Sequence, residues 1–116
     1  MLPDPEATAE VSPESVAAWI DLPESGRPRL IDCREAEELA ICQIPGNEWV
    51  PLGEFPERVG ALTDGPGRGV VVYCHHGMRS MRAALFLRSR GFDNAFSMHG
   101  GIELWSLTVD PEVPRY

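Results

Sequence analysis

The chain predicts an α/β fold: a mostly parallel central sheet of about five strands with helices on both faces. Two observations carry that expectation. Short β-branched and aromatic runs, of which Val70-Val71-Val72-Tyr73 is the clearest, read as buried strands. They alternate with helix-length segments that have recognisable starts and stops, and such alternation implies a parallel sheet covered on both sides.

The elements follow in order. Positions 1–10 are rich in Pro and Glu and are expected to form a loose leader, with 11–116 a single domain. Ser12 followed by Pro13 and Glu14 is a helix start, with N-cap, first-turn proline and acid, and the helix runs to Ile20. A turn from Pro23 to Pro28 leads to a strand over Arg29 to Asp32. A short helix covers Arg34 to Ile41 until Pro45-Gly46 breaks the chain. Trp49 to Leu52 can form a short strand, Phe55 to Leu62 a helix, and Thr63 to Gly69 a turn-rich loop. After the strand Val70 to Tyr73, the helical pattern from Ser80 to Arg90 ends at Gly91. Ala95 to Met98 is the last core strand, Gly101 to Leu107 a closing helix, and Pro111 to Tyr116 has no periodic pattern.

Composition narrows the function. A net charge of -8 argues against a nucleic-acid partner, because phosphates would meet a repulsive field. No apolar segment approaches the ~20 residues of a membrane span, and Met1 to Glu6 has no secretory pattern. Three cysteines give no disulfide framework, so the expected setting is the reducing cytoplasm. Charge is unevenly spread: positions 74–90 carry Arg79, Arg82, Arg88 and Arg90 and no acid. That suggests a small anionic substrate near Cys74, unless Arg88 and Arg90 only complement the helix C-terminus.

Cys74 ends a strand and faces the start of the next helix, where loop and first-turn N–H groups are unpaired. Such groups stabilise a thiolate and lower its pKa. The requirement is that these amides face the thiol and that it is not sealed in the interior. Four residues, His75, His76, Gly77 and Met78, separate Cys74 from Arg79. The phosphoryl-binding loop of cysteine phosphatases is one residue longer, and the tighter ring suits a terminal sulfur better.

Cys74 to Ser80 resembles the active-site loop of the rhodanese (thiosulfate sulfurtransferase) family, in which Cys, four residues, Arg and Ser cradle a persulfide. Leu30-Ile31-Asp32-Cys33-Arg34-Glu35 is similar to the family's L-I-D-V-R-E strand end. Ile44-Pro45-Gly46 and Gly100-Gly101-Ile102-Glu103-Leu104-Trp105 also match, in the expected order. The resemblance implies a rhodanese-like three-layer fold and ping-pong sulfur transfer. The Cys74 thiolate would take the sulfane sulfur of a donor such as thiosulfate. The resulting persulfide would then pass it to cyanide, a thiol or a carrier protein, with no metal or organic cofactor. A catalytically quiet binding module is the alternative, and a phosphatase or arsenate reductase on the same scaffold a weaker one.

Individual residues take roles on that reading. Arg79 shapes the cradle and attracts the donor's anionic group. Gly77 permits a turn, and Ser80 is a cradle donor that also caps the helix. His75, His76 and Met78 form the rim; a metal shared by His75, His76 and Cys74 is set aside, because adjacent loop residues rarely aim at one ion. Asp32 and Arg34 brace the catalytic loop from the neighbouring strand. Cys33 stands where the family has an apolar residue and reads as core. Cys42 departs from the family pattern and raises the idea of a thiol that resolves the Cys74 persulfide.

Overall fold

A computed structural model describes residues 2–23, 27–64 and 68–116. Among these, strands β1 (Glu10–Val11), β2 (Arg29–Asp32), β3 (Glu48–Trp49), β4 (Val70–Tyr73) and β5 (Ala95–Met98) pair in parallel, in the order β1-β5-β4-β2-β3. The helices are α1 (Pro13–Ile20), α2 (Ala36–Ile41), α3 (Phe55–Leu62), α4 (Met78–Ser89) and α5 (Gly101–Thr108).

Side chains alternate across the sheet and build two apolar layers. On one face Leu30, Val71, Tyr73, Phe96 and Met98 meet Val16 and Trp19 of α1 and Ile102 and Trp105 of α5. On the other, Ile31, Val70, Val72 and Ala95 meet Phe55 and Leu62 of α3 and Ala83, Ala84 and Leu87 of α4. β4 lies at the centre, buried at every position. Its carboxyl end is therefore the best-supported point in the sheet, and ligands of such sheets bind beyond that end.

Local chemistry explains the boundaries. Ser12 caps α1 by accepting from the Ser15 N–H at 3.1 Å. α2 begins at Ala36 rather than Arg34, because the Arg34 guanidinium folds back onto Asp32 and Glu35 forms a capping box with Glu38. The strand expected over 49–52 stops at Trp49, since Pro51 has no N–H for a ladder. Leu52–Glu54 instead forms a 3-10 turn leading into α3. α4 starts at Met78, two residues before the expected position.

The leader expected to be loose is fastened. Glu10 and Val11 extend the sheet beside β5, and Arg88 donates to the carbonyls of Pro5 (2.8 Å) and Thr8 (3.0 Å). A two-residue strand has too little pattern to be read from sequence. Parts of the turns expected at 23–28 and 63–69 (residues 24–26 and 65–67), together with Met1, lie outside the described residues.

Candidate active site

Cys74 follows β4, and the chain turns back into α4 through Gly77, whose φ of 108° a residue with a Cβ would strain. The turn aims donors at one atom. The Gly77 N–H lies 3.0 Å from Cys74 Sγ and the Ser80 N–H 3.4 Å. Ser80 Oγ is also 3.4 Å from the sulfur and 2.7 Å from Ser97 Oγ on β5. With the sulfur ionised, the Ser80 hydroxyl donates to it and the Ser97 hydroxyl donates to Ser80.

The loop carbonyls point the other way. Cys74 O accepts from the Ile102 N–H (2.8 Å) and His75 O from the Glu103 N–H (3.1 Å), so the first turn of α5 holds the back of the loop. The approach leaves no room for a side chain at Gly101. A Cβ there, at φ 62°, would lie 2.4 Å from His75 O and 2.6 Å from Cys74 O.

These donors depress the Cys74 pKa to about 4. The largest contribution is a hydrogen bond from the Cys33 thiol; burial opposes it, and the Ser80 hydroxyl, Ser80 N–H and Gly77 N–H add to it. The Cys33 thiol is pushed up correspondingly, first by that same hydrogen bond and then by burial. Cys33, read as core, is indeed buried, but it is also the strongest single influence on the candidate nucleophile. The sequence reading missed that role.

The two requirements on the thiol come out differently. The amides face the sulfur, but access is not met: Cys74 is 1 % exposed and belongs to the buried apolar cluster that includes Ile31, Val72 and Ala83. Of the loop residues around it, His75, Gly77 and Arg79 are half-buried and His76 and Met78 exposed.

The rim differs from expectation in one respect. Arg79 does not stand open to an anion: it makes a bidentate pair with Glu38, at 2.6 and 2.9 Å. The pair holds the Glu38 carboxyl down to about 2, with Arg79 the main cause. Tyr116 completes the cluster, donating its hydroxyl to Glu38 (2.6 Å) and accepting from Arg34 (2.8 Å). Its ring stacks on His75 at 3.8 Å, and His75 stacks on His76 at 3.8 Å. His75, His76 and Glu103 bring one ligand atom each within 4.8 Å of one another, a group of the kind that could hold a metal ion and one that differs from the His75, His76 and Cys74 set considered from the sequence. Burial, then His76, lowers the His75 pKa. Met78 is 82 % exposed.

Asp32 and Arg34 form a fully buried pair at 2.7 Å. Arg34 also donates to Cys42 O (2.6 Å) and reaches Tyr116. The pair thus ties the end of β2 to the end of α2 and to the C-terminal tail; its link to the catalytic loop runs through Tyr116 rather than by direct hydrogen bonds. Arg88 and Arg90 do not gather at Cys74. Arg88 serves the leader and the Ala95 carbonyl, and Arg90 packs over Phe86.

Comparison with known proteins places this geometry. The rhodanese-like domain family matches residues 12–108. The chain belongs to the rhodanese-like domain family. It is 39% identical over 90 residues to the rhodanese-like/PpiC domain-containing protein 12 of Arabidopsis thaliana, a chloroplastic protein, covering 76% of this chain and 30% of that one. It is 35% identical over 120 residues to the adenylyltransferase and sulfurtransferase MOCS3-2 of Zea mays, covering 95% of this chain and 25% of that protein. The chain thus spans about a quarter to a third of the length of these relatives. Among solved structures, the thiosulfate sulfurtransferase of Pseudomonas aeruginosa superposes with TM-score 0.79 at 26% identity, over 95% of this chain and 21% of that one. The human single-domain sulfurtransferase TSTD1 gives 0.73 at 26% identity, covering 87% and 97%. Sulfurtransferase relatives of the rhodanese-like family therefore frame the site. Among the described residues no helix is long and apolar enough to cross a membrane.

Proposed function

We propose that this rhodanese-like protein is a sulfurtransferase that carries sulfane sulfur as a Cys74 persulfide. The observation that supports it best is the convergence of the Gly77 N–H, the Ser80 N–H and the Ser80 hydroxyl on one sulfur at 3.0–3.4 Å. That arrangement favours a thiolate, and equally a terminal persulfide anion, without any cofactor. The Cys74 thiolate attacks the outer sulfur of an anionic donor such as thiosulfate; the new S–S bond forms as sulfite leaves. A thiophilic acceptor, whether cyanide, a thiol or a carrier protein, then takes the outer sulfur and restores the thiolate. Arg79 sits at the mouth and draws the donor in once its grip on Glu38 loosens. His75, His76 and Met78 form the rim the donor crosses. Asp32 and Arg34 keep the neighbouring strand end and tail in place.

A carrier-protein acceptor is supported by similarity to a putative sulfur carrier protein of Bacillus subtilis, 32% identical over 97 residues, beside the sulfurtransferase relative. A reducing compartment suits three free cysteines. The test is thiocyanate formation from thiosulfate and cyanide. Wild-type protein turns over, and Cys74→Ser falls to the uncatalysed rate. A wild-type protein that makes no thiocyanate and takes up no sulfur by intact mass would sink the reading in favour of a binding module.

A further inference from the structure

Three cysteines are present, and the structure separates them. Cys42 packs on the sheet face that carries Tyr73 and Trp105, with its sulfur 4.0 Å from Arg34 Nη1. Cys74 lies on the opposite face. Cys42 is therefore excluded as the thiol that resolves a Cys74 persulfide. Cys33 is on the correct face, in the same buried cluster as Cys74, and each of the two is 1 % exposed.

Register fixes their distance. Asp32 pairs with Tyr73 in the parallel β2–β4 ladder, and the Cys33 N–H donates to Tyr73 O at 3.1 Å. That bond belongs to the last pair of the ladder, and Cys33 and Cys74 are the residues that immediately follow the two paired ones. Neighbouring strands run about 4.8 Å apart, inside the Cα separation of about 4.4–6.8 Å that a disulfide spans. Both thiols also lie in the buried apolar layer on one face of the sheet, with Val72 and Ala83. Cys33 lies on the β2 side of Cys74, whereas Ser80 is tied to Ser97 on the β5 side.

We propose that Cys33 is a resolving thiol that discharges the Cys74 persulfide when no acceptor is present, releasing hydrosulfide and leaving a Cys33–Cys74 disulfide. The proposal rests on the persulfide reading above. In the step, Cys33 Sγ bonds to Cys74 Sγ and the bond from Cys74 Sγ to the outer sulfur breaks. The Cys33 proton passes first to the outer sulfur, and the Cys33 thiolate so formed attacks; the outer sulfur leaves with its bonding pair as HS⁻, so an anionic persulfide and a neutral thiol become a neutral disulfide and HS⁻. Cys33 is oxidised, the outer sulfur is reduced, and no outside oxidant is needed. A dithiol returns the pair to its starting state. The chain thereby gains a second outcome, sulfide release, and a disulfide that protects Cys74 from irreversible oxidation while it waits.

The experiment gives reduced, desalted protein excess thiosulfate at pH 8 without acceptor, then reads sulfide release, non-reducing intact mass and disulfide-linked peptides. Wild type should release about one sulfide per chain and finish two hydrogens lighter, with the peptides holding Cys33 and Cys74 joined. Cys42→Ser should behave identically. Cys33→Val should instead keep one added sulfur on Cys74, with sulfide release about tenfold or more lower. Cys33→Ser, closer in volume to cysteine, carries the same expectation if the valine variant does not fold. Wild-type protein that holds its added sulfur with Cys33 free, or a Cys33→Val that releases sulfide at the wild-type rate, overturns the proposal. If no variant, Cys33→Val included, ever gains a sulfur, the persulfide reading itself has failed and this one falls with it.

Discussion

Replacing Ser80 by Ala removes one donor from the sulfur and strands another hydroxyl, so its two effects can be separated by pH. The Ser80 hydroxyl stands 3.4 Å from Cys74 Sγ and 2.7 Å from Ser97 Oγ, and both serines are fully buried. A hydrogen bond to a charged group contributes about 1.5–3 kcal/mol, which corresponds to a rise of about 1–2 units in the Cys74 pKa of the variant. Cys74 is an acid whose folded pKa, about 4, lies far below the roughly 8.5 of an unfolded cysteine. Its ionisation therefore stabilises the fold most above the unfolded value, and that stabilisation is lost as pH falls to about 4. For Ser80→Ala the Cys74 part of the deficit is absent below about pH 4 and grows by about 1.5–3 kcal/mol towards pH 7. A further 1–3 kcal/mol or so, independent of pH, comes from the Ser97 hydroxyl left without a partner. Urea melts of wild type and variant at pH 4 to 7, with iodoacetamide rates over the same range, measure both parts. A deficit that does not change with pH, together with an unmoved alkylation midpoint, would refute the reasoning.

Two further substitutions probe the walls of the site. Gly101→Ala places a Cβ against the carbonyls that shape the loop, and should cost at least about 2 kcal/mol in urea melts and most of the sulfur-transfer rate. Wild-type stability in that variant would mean the α5 turn does not support the loop. Glu38→Gln frees Arg79 from its carboxylate partner; because the pair is partly exposed, stability should move by less than about 1 kcal/mol. The KM for thiosulfate should fall, by up to about fivefold, and a rise would show that Arg79 works only when Glu38 holds it.

Local features of this protein were readable from the chain, and features made by distant partners were not. Val70 to Tyr73, the loop to Ser80 and the Gly91 stop form one continuous stretch, where periodicity and helix punctuation operate over a few residues. The strand over Arg29 to Asp32 was equally plain, because its apolar run is bounded by turn residues. Glu38 is different: it meets Arg79 from 41 positions away, and nothing in the spacing of either residue announces the pair. Tyr116 lies 78 positions from Glu38, in a tail with no pattern, yet its ring covers His75. Cys33 was visible as a departure from the family's apolar residue. Its meaning depends on which strand lies beside β4, and on a register that one residue of slip would invert.

The rate of Cys74 alkylation as a function of pH, with Cys74→Ser subtracted to remove any reaction at Cys33 or Cys42, asks most directly whether this protein holds its sulfur as an anion. A half-maximal rate near pH 4 is the predicted result. A midpoint at or above about 8.5, the value of an unassisted thiol, would contradict the account.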